Sequence, residues 1–257
     1  MEPDDDRSGS SRSMALRVLL VGLGLLACAG LFSLGVWQVH RLAWKEALIA
    51  RVDARLREAP APLPETARWP ALTRDADEYR RIAVQGRYDF SHQVLVRAST
   101  ALGAGWWVLT PLQAPQGAWV LVNRGFVPPE MKGQVPQGAP EAAVTGLLRF
   151  TEPGGGFLQA NVPAQGRWYS RDVAAIAAAQ GLQGPVAPFF LDAQALTAAD
   201  RSAWPRPGLT VIQFPNNHLV YALTWFALGA GLAGAIGWLL WDGWRRRRPA
   251  GASQRVD

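Results

Sequence analysis

Apolar residues fall into two long uncharged blocks, separated by a stretch in which apolar and polar positions alternate. From Val18 to His40 no residue carries a formal charge, and Val18–Val36 is almost wholly Leu, Val, Gly and Ala. Leu219–Trp241 is a second uncharged run. Each suffices to cross a hydrocarbon core as a helix, which takes about 20 residues. Pro215 halts what precedes the second run, and Asn216 or Asn217 can cap its first turn. Beyond the first run Trp37, Arg41, Trp44, Lys45, Leu48, Ile49, Val52 and Leu56 keep helical spacing. That helix is therefore expected to continue into water and stop before Pro60–Pro64. Trp37 and Trp44 share one face, and Gln38, Arg41 and Lys45 form a polar stripe.

The middle reads mostly as strand. Arg81–Tyr88 alternates, Gln93–Arg97 follows the Asp89–His92 turn, and Trp106–Thr110 and Trp119–Asn123 are joined by a Pro111–Gly117 turn. Val144–Phe150 and Pro188–Asp192 add two more strands. One helix is expected after Ser170 as cap, with Asp172 in its first turn and Gly181 as its stop. The fold class is a membrane protein: two transmembrane helices flank a β-rich α+β extracytoplasmic domain, a twisted sheet or open barrel.

Charge sets the orientation. Arg245–Arg248 directly follows the second run and reads as cytoplasmic under the positive-inside rule. Two spans then make the N-terminus cytoplasmic as well, in accord with Arg7, Arg12 and Arg17. The segments are a cytoplasmic tail over 1–17, a first span over 18–40 and a periplasmic β-rich domain over 41–214. A second span with its cap covers 215–241, and a basic cytoplasmic tail covers 242–257. The expected topology is both ends inside and the large domain outside. The net charge of +6 owes much to the arginine block, a topology anchor and lipid-headgroup contact. No basic-aromatic module accompanies it, so nucleic acid is not an expected partner.

The single cysteine, Cys28, lies inside the first run, and no C-x-x-C or C-x-C pair exists to hold copper or exchange disulfides. Leu25-Leu26-Ala27-Cys28 loosely resembles a lipoprotein cleavage box, but the apolar run continues to Val36, so a retained anchor is expected. The acidic Asp4–Asp6 argues against a mitochondrial transit peptide. No nucleophile elbow, zinc-protease helix, phosphate loop or dinucleotide fingerprint is present, and the chain is not expected to be an enzyme. His92, after Ser91, reads as a solvated turn residue. His218 stands at the mouth of the second helix, where a neutral imidazole can bind a metal, including haem iron.

Leu34-Gly35-Val36-Trp37-Gln38-Val39-His40-Arg41, with Trp44-Lys45 and Leu48-Ile49, resembles the first-span exit of the Surf-one (Shy) family, assembly factors of haem–copper cytochrome oxidases. Val120-Leu121-Val122-Asn123-Arg124-Gly125-Phe126-Val127-Pro128 resembles its central segment, with Phe126 where the family usually has Trp. Asn216-Asn217-His218-Leu219-Val220-Tyr221-Ala222-Leu223-Thr224-Trp225-Phe226 resembles the start of its second span. Similarity extends to Tyr79–Tyr88 and Trp168–Ile176. The resemblance implies a two-span protein of a bacterial inner membrane with its domain in the periplasm, and a role in delivering haem a to oxidase subunit I, or stabilising it during insertion. It implies subunit I and the haem a synthesis machinery as partners, and His218 as the iron ligand. His40, at nearly the same membrane level, is a candidate second ligand. Arg41, Lys45 and Arg206 are candidate propionate partners, and Tyr221 and Trp225 candidate porphyrin walls. The plainer alternatives are interfacial anchoring for these side chains and, for the protein, a structural chaperone of subunit I that binds no cofactor.

Overall fold

The computed structural model describes residues 5–156, 158–209 and 216–247, with side chains from Leu16 to Arg246 among these. Pro215 and Arg248 lie outside the described residues, as do the side chains of Arg7 and Arg12. The chain divides into two compact units, Met1–Ala50 with Phe214–Asp257 and Arg51–Gln213.

The first unit is a helix pair. Helix α1 (Asp5–Arg57) stops before Pro60, as its spacing predicts, and its last two turns belong to the second unit. Its partner is the helix starting at His218 (His218–Arg247). Small residues make the seam. A Cβ added to Gly35 would stand 2.5 Å from the Phe226 ring, and one on Gly24 2.9 Å from Ile236. Cys28 is buried there and its thiol donates to the Gly229 carbonyl at 3.4 Å. Close backbone approach through small residues is how helices pair where lipid removes the hydrophobic drive. The outward faces stay bare: Leu26 is 72% and Val220 64% exposed. Only 11% and 17% of the two most apolar windows are buried, too little for core helices of a water-soluble protein. Both helices are long and apolar enough to cross a membrane, and the pair is compatible with a two-pass membrane protein.

The second unit is a small barrel. Its strands are β1 (Ala61–Pro62), β2 (Arg81–Tyr88), β3 (Val94–Thr100), β4 (Gly103–Gln113), β5 (Trp119–Val127), β6 (Glu141–Phe150) and β9 (Val186–Ala193). A separate two-stranded ribbon holds β7 (Gly155–Gly156) and β8 (Gln159–Ala160). The main order is β1-β2-β6-β9-β5-β4-β3, and β2 also pairs with β4 through Arg87–Gln113 and Tyr88–Leu112. Five strands thus form a closed ring where an open barrel or twisted sheet is expected from sequence. Alternation sorts the side chains. Val120, Val122, Phe189 and Leu191 join one core with Ile82, Leu112 and Leu148. Leu121 and Phe190, pointing oppositely, join a second with Val96, Leu109, Trp168 and Ile176.

Short helices α2 (Arg74–Asp77), α3 (Val173–Ala179) and α4 (Ala198–Ser202) complete the unit, which makes the helix from His218 α5. Two local expectations are corrected. The cap of α3 is Asp172, whose carboxylate accepts from Ala175 N; Ser170 instead donates to the Glu152 carbonyl. Strand β4 runs through Pro111, because the Pro111 carbonyl accepts from Asp89 N. The missing proline N–H therefore faces β2 and removes no bond to β5. The turn shrinks to Ala114–Gly117.

Candidate functional site

His218 opens α5, where the first helical bond runs from Tyr221 N to the Asn217 carbonyl. Its Nδ1–H donates to Gln38 Oε1 of α1 at 2.7 Å. In a neutral ring that bond puts the hydrogen on Nδ1 and the lone pair on Nε2. An imidazole oriented by a side-chain acceptor on one nitrogen and open on the other is the arrangement metal-binding histidines use. Gln38 occupies the seam because it follows Gly24, Cys28 and Gly35 at helical spacing. Beside it, Asn216 holds a buried side-chain oxygen that no donor reaches among the described residues.

The structure does not bring His40 to His218. His40 follows Gln38 by two residues, about 200° around the helix, and is exposed. The facing imidazole pair expected from membrane level alone is therefore not formed; depth fixes height along a helix, not face. Arg41 is exposed and its guanidinium lies 4.7 Å from the Trp44 ring. Lys45, on the Gln38 face, is half-buried and has an interaction of its own. Trp225, seven residues after His218, shares its face and is half-buried, while Tyr221 is 54% exposed. Arg206 belongs to the barrel unit, where its guanidinium lies 4.5 Å from the Trp204 ring. Gln38 was visible in sequence only as part of a polar stripe; the small-residue spacing on the same helix was the signal that it faces a neighbour.

The Asn123-Arg124-Gly125 segment resolves into structural roles. Arg124 donates to the Pro136 carbonyl at 2.8 Å and to Gln93 Oε1 at 3.2 Å, with its guanidinium over the Tyr88 and Phe90 rings. Burial pushes the Tyr88 hydroxyl up to about 12, with Arg124 opposing. Gly125 has φ +130° and its Cβ position lies 2.3 Å from the Arg206 backbone, so only glycine fits. Close approach there allows Phe126 and Arg206 to exchange both backbone bonds. Phe126 itself is fully buried, edge-on to Trp107 at 6.1 Å, in a place that needs an aromatic ring and no indole N–H.

Asn123 leads to a feature no local pattern announced. It donates to Asp192, which is 2% exposed and also takes Arg149 at 3.2 Å and Arg171 at 3.3 Å. Glu152 on Arg171 and Glu78 on Arg149 complete the network. Burial alone would raise the Glu152 carboxyl, but hydrogen bonds and charge from Arg171, with Arg149, outweigh it and hold the group low. Asp89, Ser91 and His92 look like a catalytic set but are a turn: Ser91 Oγ and His92 Nδ1 both bind the Asp89 carboxylate, which caps Phe90–His92. Ser91 Oγ lies 3.2 Å from that same Nδ1, so hydroxyl and carboxylate meet one ring nitrogen and no relay runs across the imidazole between them. Among the described residues no three His, Cys, Asp or Glu side chains gather as a metal cluster.

Comparison with known proteins bears on the whole chain. The SURF1 family model matches residues 25–230. Surfeit locus protein 1 of Mus musculus is 34% identical over 248 residues, covering 88% of this chain and 76% of its own. The Homo sapiens protein of that name is 34% identical over 225 residues, covering 77% and 70%. A SURF1-like protein of Monosiga brevicollis is 34% identical over 219 residues, covering 77% and 79%. The matched span begins inside α1 and ends inside α5, so it takes in part of each long helix, the whole barrel and His218: the chain belongs to the SURF1 family.

Proposed function

We propose that this protein is an assembly factor for a haem–copper cytochrome oxidase and holds haem a through His218 before the cofactor enters subunit I. The carrying observation is the Nδ1–H bond to Gln38, which in the neutral ring leaves the lone pair on Nε2. With no three-residue metal cluster among the described side chains, a metal held here would bring most of its own ligands, as porphyrin iron does. Bound haem would supply an iron that the His218 imidazole would hold. Around it, Trp225 and Tyr221 offer apolar walls, and Arg41 offers a cation to a propionate. His40 stands outside this reading, on another face of α1. The bare apolar faces of α1 and α5 and the arginines after Trp244 support two spans in a bacterial inner membrane, with both termini cytoplasmic and the barrel periplasmic. Subunit I and the enzymes that make haem a are the partners this role requires.

The same hydrogen bond favours a second reading. A histidine tied to Gln38 fastens two helices without any metal, and the chain could then shape subunit I as a purely structural chaperone. Purifying the full chain from cells that co-express haem a synthesis separates the two. A stoichiometric Soret band dependent on His218 supports haem handling; a colourless protein that still restores oxidase activity supports the structural role alone.

A further inference from the structure

The barrel carries a cavity that the haem reading does not use. It has a volume of about 470 Å³ and is lined by Arg97, Lys132 and Arg167, with Gln93, Trp106 and Trp168 among its walls. A cavity of this size suits a small ligand, since such sites run to about 300–1,000 Å³. No carboxylate lines it, and the three exposed cations have no ion pair among the described residues. Arg97 and Lys132 both lie over the Trp106 ring, at 5.1 Å and 4.5 Å. Trp168 is 1% exposed, and its buried indole N–H reaches no acceptor among the described residues. An unsatisfied buried donor is costly, and buried indoles ordinarily find a partner.

Trp168 is held where it is by the strand edge: Arg97 N donates to the Trp168 carbonyl at 2.9 Å, and Val96 bridges Trp168. Arg97 pairs across the sheet with Trp106, so its guanidinium and that ring share one face of β3, while the Trp168 indole packs with Val94 and Val96 on the other. Exposed cations around a flat ring suit a ligand that carries both an anion and a flat body.

We propose that this cavity binds an organic anion, a carboxylate or phosphate on a flat or apolar body. Arg97, Lys132 and Arg167 take the charge, and the Trp106 ring packs against the body. A free organic acid and an acidic side chain of a partner protein offer the same chemistry.

Isothermal titration calorimetry on the full chain in neutral detergent tests this with three probes: 2-naphthoate, inorganic phosphate and a blocked glutamate hexapeptide. Saturable naphthoate binding, weakened about tenfold or more in Arg97→Gln/Lys132→Gln as charge-assisted contacts are removed, supports the proposal with a free acid as ligand. Hexapeptide binding with the same dependence supports it with a partner protein as source. Equal binding of phosphate and naphthoate overturns the role of the apolar body. No binding by any probe, or binding unchanged in a double variant that melts like the parent, overturns the site.

Discussion

Gln38 decides what His218 can do. Its Oε1 takes the Nδ1–H and so fixes which imidazole nitrogen remains open. Gln38→Ala should leave both helices intact and lower haem occupancy by about 10–100-fold, the usual cost of losing an outer-shell partner. Soret absorbance per purified chain measures it. His40→Ala should leave that absorbance unchanged, because its side chain lies on the other face of α1. The sequence revealed His218 through its neighbours, Asn216 to Phe226, which mark a helix start. It did not reveal Gln38 as partner or exclude His40, since a residue's face becomes meaningful only once the opposing helix is known.

Among elements, the α1–α5 pair carries the site, and its spacing rests on Gly35. A Cβ there already meets the Phe226 ring at 2.5 Å. Gly35→Leu should force the helices apart, an overpacking worth about 1–3 kcal/mol. Cys28 reports it: buried and bonded to Gly229 in the native seam, its thiol should react faster with maleimide in the variant. Helices and strands were largely legible, because uncharged runs and period-two alternation are local. Strand β4 ran past its predicted end at Thr110 because a proline whose missing N–H faces away from the main pairing does not break a strand. The cap of α3 was misplaced by two residues for a similar reason: Ser170 had a stronger claim on Glu152.

In the whole molecule, the closure of the barrel and its ion network were invisible beforehand. Glu78, Arg149, Arg171 and Asp192 come from separate segments and meet only when β6 pairs with β9. Asp192→Ala would leave two mostly buried guanidiniums short of a partner and should cost about 3–5 kcal/mol in unfolding free energy. The pH dependence follows from Glu152, whose carboxyl is held below its ordinary range in the folded state. Its contribution is complete above the unfolded value near pH 4.3 and is lost as pH falls through the lower folded value. Thermal melting of the full chain should therefore fall steeply below about pH 4, and a flat profile there would remove the network from the account.

The central claim is that His218 ligates haem. The most direct measurement is the Soret absorbance of the full chain, purified from cells co-expressing haem a synthesis, beside that of His218→Ala with equal helical content. The account predicts a stoichiometric band in the native chain and none in the variant. A colourless native chain that restores oxidase activity, or a variant that keeps the band, would contradict it.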